Sequence, residues 1–190
     1  MRGPMHVLMI SAACLVLAAP LSGGEHPGTE VFGSAGWGTW WDDEGATVGG
    51  VAAGGGIGRR LLPQFALEGE VIAFRGSRRY SGPAPVYRSR GVLATGNGLL
   101  YVFRGERTQV FVLLGAGVTH STAETSFGDY RSSRSGSGFV ANAGAGVKLF
   151  IRRNVSLRPE VRLAGCTAGS SLIEPFSAEL RFSLGLGYHW

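Results

Sequence analysis

Glu68 and Glu70 stand two residues apart, Arg158, Glu160 and Arg162 continue the same spacing, and Glu179 and Arg181 repeat it near the end of the chain. Lys148, the only lysine, completes the set. A spacing of two puts side chains on one face of an extended strand. The set holds four acids and four bases and is neutral as a whole. If one enclosed space receives all eight side chains, their chemistry is ion pairing. A buried charge is tolerated only while it keeps its partner.

A second group could do covalent chemistry. "VTHST" places His120 beside Ser121 and Thr122, with Glu124 close by. A nucleophile, a base and an orienting acid are the parts of a hydrolytic site. Neighbouring residues of a strand point to opposite faces, which turns Ser121 away from His120. The chain carries neither a Gly-x-Ser-x-Gly elbow nor a His-Glu-x-x-His zinc motif. No catalytic residue, metal ligand or cofactor is therefore assigned. His120 and His189 read as polar residues at strand ends. "GGGIG" at residues 54–58 precedes a turn and no helix, so it reads as strand glycine and not as a phosphate loop.

The ends and the composition say which elements could hold these residues. Residues 1–23 read as a secretory signal: Arg2, the apolar run "VLMISAACLVLAAPLS", then small residues. The run continues past Cys14, whereas a lipidated cysteine closes such a run, so Cys14 reads as an ordinary apolar residue. Residues 24–190 then form one domain, in which Cys166 has no partner for a disulfide and reads as a buried small residue. Glycine supplies 32 of 190 residues, far above the usual share of about 7%. The net charge of +5 comes almost wholly from scattered arginines, a pattern that does not point to nucleic acid.

No stretch keeps a helical period, and the alternation predicts eight strands near residues 31–40, 46–59, 64–76, 88–103, 109–119, 139–150, 155–166 and 178–190. The connections alternate in kind. "RLLPQ", "RGERT" and "RRN" are tight turns; "WDDEGA", "SRRYSGPAPVY", "HSTAETSFGDYRSSRSGS" and "TAGSSLIEPFS" are polar and mostly long. In an up-and-down sheet the tight turns share one end and the long loops the other, as in membrane barrels. Val155, Leu157, Pro159, Val161 and Leu163 oppose Ser156, Arg158, Glu160 and Arg162, and Phe65, Leu67 and Val71 oppose Glu68 and Glu70. Parity alone fits either an apolar exterior with a charged interior or the inverse; in a membrane barrel the charged face looks inward, with Glu68 near the level of Arg158, Glu70 near that of Glu160, and Arg162 just above. The arginines of the tight turns, Arg59, Arg60, Arg104, Arg107, Arg152 and Arg153, would meet anionic headgroups of the inner leaflet.

The last strand, "ELRFSLGLGYHW", carries Leu180, Phe182, Leu184, Leu186, Tyr188 and Trp190 on one face. With "FVLLGAGV", "ANAGAGVKL" and "NVSLRPEVRL", it resembles the small eight-stranded outer-membrane barrels of the OmpA/OmpX type. The resemblance implies an all-β, antiparallel up-and-down transmembrane barrel, with Phe182, Leu184, Leu186, Tyr188 and Trp190 as the signal read by the barrel assembly machinery. On activity the resemblance says little; the residues themselves, without a catalytic motif, point to a non-catalytic protein, expected as a monomer in contact with outer-membrane lipids. Its expected role is membrane integrity, adhesion through the outer loops, or lipopolysaccharide contact through Arg78, Arg79, Arg88, Arg131 and Arg134; no peptidoglycan-binding domain is expected. Two alternatives stand beside it: a lipid A-modifying outer-membrane enzyme, and a soluble lipocalin-like barrel, which "GTW" at residues 38–40 would suit.

Overall fold

A computed structural model describes residues 28–41, 47–79, 86–167 and 178–190. The signal segment, Cys14, His26 and the connections at 42–46, 80–85 and 168–177 lie outside the described residues. Eight strands make up the fold: β1 (Thr29–Trp41), β2 (Thr47–Leu62), β3 (Phe65–Arg79), β4 (Val86–Arg104), β5 (Thr108–Phe127), β6 (Tyr130–Arg152), β7 (Val155–Thr167) and β8 (Ala178–His189). Each pairs antiparallel with the next, and β8 returns to β1, so the sheet closes on itself. The seam extends to Trp190, whose N–H donates to the Thr29 carbonyl at 3.0 Å and whose carbonyl accepts from the Thr29 N–H at 3.2 Å.

Three tight turns share one end of the barrel with both edges of that seam. Each is accompanied by a register shift: between Arg60 and Leu62, Tyr101 and Phe103, and Phe150 and Arg152. An extra residue in one strand bends it and strengthens its twist, which is how a small ring turns its corners.

The third connection at the opposite end is not the long loop that the polar sequence predicts. β5 runs on to Phe127 and β6 starts at Tyr130, paired across the turn of Gly128 and Asp129. Gly128 has φ = +55°, a left-handed conformation that glycine adopts without strain. The apolar alternation that announces a strand arises only where one face is covered. Both faces of this hairpin carry Ser, Thr and Arg, so its strands leave no such signature.

Outward positions carry Val51, Val71, Leu114, Phe139, Leu163 and Leu184, all more than half exposed. Inward positions carry the charges, together with two apolar layers that the strand reading leaves out. Trp40, Ile72, Phe74, Leu93 and Val140 cluster towards the loop end, and Leu99, Tyr101, Phe111 and Leu113 towards the turn end. Inward glycines seat these rings: a Cβ on Gly146 would lie 2.5 Å from Phe111 Cζ. Trp40 of the "GTW" stretch is 2% exposed inside the barrel, yet the large apolar side chains outside make the reverse of a soluble lipocalin-like exterior.

Candidate functional site

The inward charges come together because their neighbours on adjacent strands are small. Glycines stand across from five of them: Gly58 from Glu68, Gly56 from Glu70, Gly185 from Arg158, Gly146 from Glu160 and Gly144 from Arg162. Long side chains on β3 and β7 can thus reach across the ring.

Arg158 Nη1 lies 2.5 Å from Glu68 Oε2, and its Nη2 lies 2.8 Å from Glu160 Oε2. Arg162 reaches Glu70 Oε2 at 2.5 Å and Glu68 Oε1 at 3.3 Å, and also pairs closely with Glu160 through Nε. The Arg158 guanidinium is held from two further directions, 4.5 Å from the centre of the Phe32 ring and 4.8 Å from that of Phe111. Rings on both sides of a desolvated cation add attraction through their electron-rich faces. Arg181 stands at the edge of the group, 3.6 Å from Glu179 and 4.0 Å from Glu70. Arg158 and Arg162 are each 2% exposed, Glu68 4% and Glu160 8%.

Lys148 belongs to a different cluster. Its Nζ pairs with Glu30 and donates to Tyr101 Oη at 3.0 Å, towards the turn end of the interior. Glu30 is a partner that the sequence reading leaves out, because it falls just before the first predicted strand. His189, read as a rim residue, is instead buried. Its Nε2 lies 2.8 Å from Ser156 Oγ and 3.7 Å from Glu30 Oε1. Arg60 also departs from expectation: it turns inward to donate to Gln109 Oε1 at 3.0 Å and lies 4.9 Å over the Tyr101 ring. Arg104, Arg107, Arg152 and Arg153 remain exposed at the turns.

At the loop end, His120 is exposed and its Nδ1 lies 2.8 Å from Ser137 Oγ across the β5–β6 pair. Ser121 is 2% exposed on the inward face, away from His120. Arg88, Arg131 and Arg134 are exposed, Arg78 is partly buried, and the side chain of Arg79 lies outside the described residues. Phe182, Leu184, Leu186, Tyr188 and Trp190 all point outward, with the Tyr188 and Trp190 rings stacked at 6.1 Å. Among the described residues no group of three or more His, Cys, Asp or Glu side chains could hold a metal ion.

A closed ring of eight strands, apolar outside and ion-paired inside, defines the class of small membrane-spanning β-barrels. The chain belongs to the outer membrane protein beta-barrel domain family, whose pattern matches residues 7–189, and the family places it in the outer membrane. Among curated proteins none matches the chain at a significant level. Solved structures do. Ail, the attachment invasion locus protein of Yersinia pestis, is 14% identical with a TM-score of 0.58, the match covering 87% of this chain and all of Ail. Neisserial surface protein A is 18% identical with the same TM-score of 0.58, covering 88% of this chain and all of the other. A major outer membrane protein from Thermus thermophilus is 13% identical at 0.57, covering 85% and 99%. At such identities the likeness is one of fold.

Proposed function

We propose that this outer-membrane barrel is non-catalytic, closed to permeation, and active through its outer surface in membrane integrity, adhesion or lipopolysaccharide contact. The carrying observation is the fan of contacts from Arg158 and Arg162 to Glu68, Glu70 and Glu160. In a ring of eight strands the interior is just wide enough for side chains to fill it. At its waist two arginines are paired with three glutamates, with Arg181 at the edge of the group, and these side chains fill the section and leave no water-filled path for ions. In this reading residues 1–23 are removed on export, the β8 face with Phe182, Leu184, Leu186, Tyr188 and Trp190 is read by the barrel assembly machinery, and the mature protein is a monomer.

A hydrolytic site is disfavoured by what the candidate base lacks. His120 meets a serine hydroxyl, that of Ser137, but no orienting acid stands behind it, since Glu124, the nearest acid in sequence, is held by Arg90 at 3.1 Å. The deciding experiment is planar-bilayer recording of the refolded protein. The expected result is little or no steady conductance from the wild type and more current once Arg158 is replaced by Ala. Stable large channels from the wild type would overturn the proposal.

A further inference from the structure

The outward faces of β3 to β6 change character over two rows of paired residues. One row holds Val71, Ala94, Val118 and Phe139; the next holds Ala73, Val92, His120 and Ser137; the third holds Arg75, Arg90, Thr122 and Ser135; the fourth holds Ser77, Arg88, Glu124 and Ser133. The wall therefore passes from bare hydrocarbon to arginine within two steps of the pleat.

Arg75 and Arg90 stand directly opposite one another on this wall. Like charges in that position destabilise a sheet. Glu124 takes one Nη of Arg90 at 3.1 Å, while Arg75 has no acidic partner among the described residues. Both arginines are exposed, and Arg88 adds a third cation one row further out.

From this we infer that Arg75 and Arg90 form a binding site for the phosphate of a phosphorylated, acylated saccharolipid of the outer leaflet, the lipid A class. The inference rests on the outer-membrane surface role proposed above and gives it a location. Geometry selects a lipid over a soluble anion. An occupant bound by Arg75 and Arg90 also lies against Val51, Val71, Val92 and Phe139, which are 62%, 53%, 44% and 68% exposed. An anionic head joined to acyl chains satisfies both surfaces at once. The paired hydroxyls of Thr122 and Ser135, 2.9 Å apart in the same row, offer hydrogen bonds to sugar oxygens beside the phosphate.

The test is binding of a fluorescent bisphosphorylated lipid A by the refolded full chain in uncharged detergent micelles. Losing two charge-assisted contacts should weaken binding of Arg75→Ala/Arg90→Ala by about tenfold or more. Lipid A stripped of its phosphates should show the same loss on the wild type. Inorganic phosphate should not displace the lipid. The heat-dependent gel shift of a closed barrel verifies folding of each variant. A smaller loss in the arginine pair, equal binding of phosphate-free lipid A, or displacement by inorganic phosphate would each overturn the inference. Conductance is read separately, so a leaky barrel would defeat the closed-interior proposal without touching this one.

Discussion

Arg158 and Glu68 meet across the barrel as a two-pronged pair, Nη1 to Oε2 at 2.5 Å and Nη2 to Oε1 at 3.2 Å, though ninety positions separate them in the chain. Such a fork fixes both the distance and the relative orientation of two strands that share no backbone hydrogen bonds. β3 and β7 are thereby tied to one another directly by side chains, in addition to the backbone ladders that join them round the ring.

The same network sets the cost of removing a member. Arg162→Ala strands carboxylates that are almost fully buried, and should destabilise the barrel by about 3 to 5 kcal/mol. Arg131→Ala, on the exposed hairpin, should change stability by about 1 kcal/mol at most. Denaturation midpoints of the two refolded variants in one detergent check the difference; equal midpoints would mean that the inward charges are not mutually dependent.

Lys148 and Glu30 allow a cleaner separation of pair from context. Lys148→Met and Glu30→Gln should each destabilise, because each leaves the other residue charged and enclosed. The double variant should lose less than the sum of the single losses, with a coupling of about 0.5 to 3 kcal/mol. Strict additivity in a double-mutant cycle would show that the two residues act independently.

Inward glycines differ in what they leave room for. A side chain at Gly146 would press on Phe111 Cζ at 2.5 Å and on the Pro159 carbonyl at 3.0 Å, so Gly146→Val should cost about 1 to 3 kcal/mol. Gly69 points outward with nothing within 4 Å of a Cβ, and Gly69→Ala should be neutral or gain about 0.4 to 1 kcal/mol by stiffening the unfolded chain. Thermal gel-shift midpoints compare the two.

Ser121 and His120 separate a rim pair from a hydrolytic one. The Ser121 hydroxyl is buried without a hydrogen-bond partner, so Ser121→Ala should be neutral or slightly stabilising. His120→Ala and Ser137→Ala should leave both folding and the lipid A profile of expressing cells unchanged. Mass spectrometry of lipid A reads the outcome, and an acylation change that depends on either residue would restore the enzymatic reading.

Strand count, the three tight turns at the seam end and the parity of β7 and β8 were legible because one face of these strands is lipid-facing and apolar while the other is polar or charged. The parity of β3 was legible at Glu68 and Glu70 but not at Ile72 and Phe74, which share their face. Those two belong to an apolar layer inside the barrel, and a hydrophobic residue in a strand does not by itself say whether lipid or protein covers it. The β5–β6 hairpin stayed hidden for a related reason, since water meets both its faces. Glu30 and Arg60 were missed at strand ends, where a shift of one or two residues decides whether a charge lies in the ladder or in a turn. The Arg75–Arg90 opposition needs the register of β3 against β4, which no single strand contains.

The hydrogen bonds between Thr29 and Trp190 have a consequence for how the protein comes apart. An open sheet can fray, shedding its outermost strand while the remainder stays paired. In this ring the departure of any one strand uncovers two rows of N–H and C=O groups, and inside hydrocarbon neither row can turn to water. Peeling is thus penalised at every strand, β1 and β8 included. The folded state behaves as a hoop, whole or absent, and within the rows enclosed by hydrocarbon the amides of β1 and β8 should resist solvent exchange as those of the other strands do.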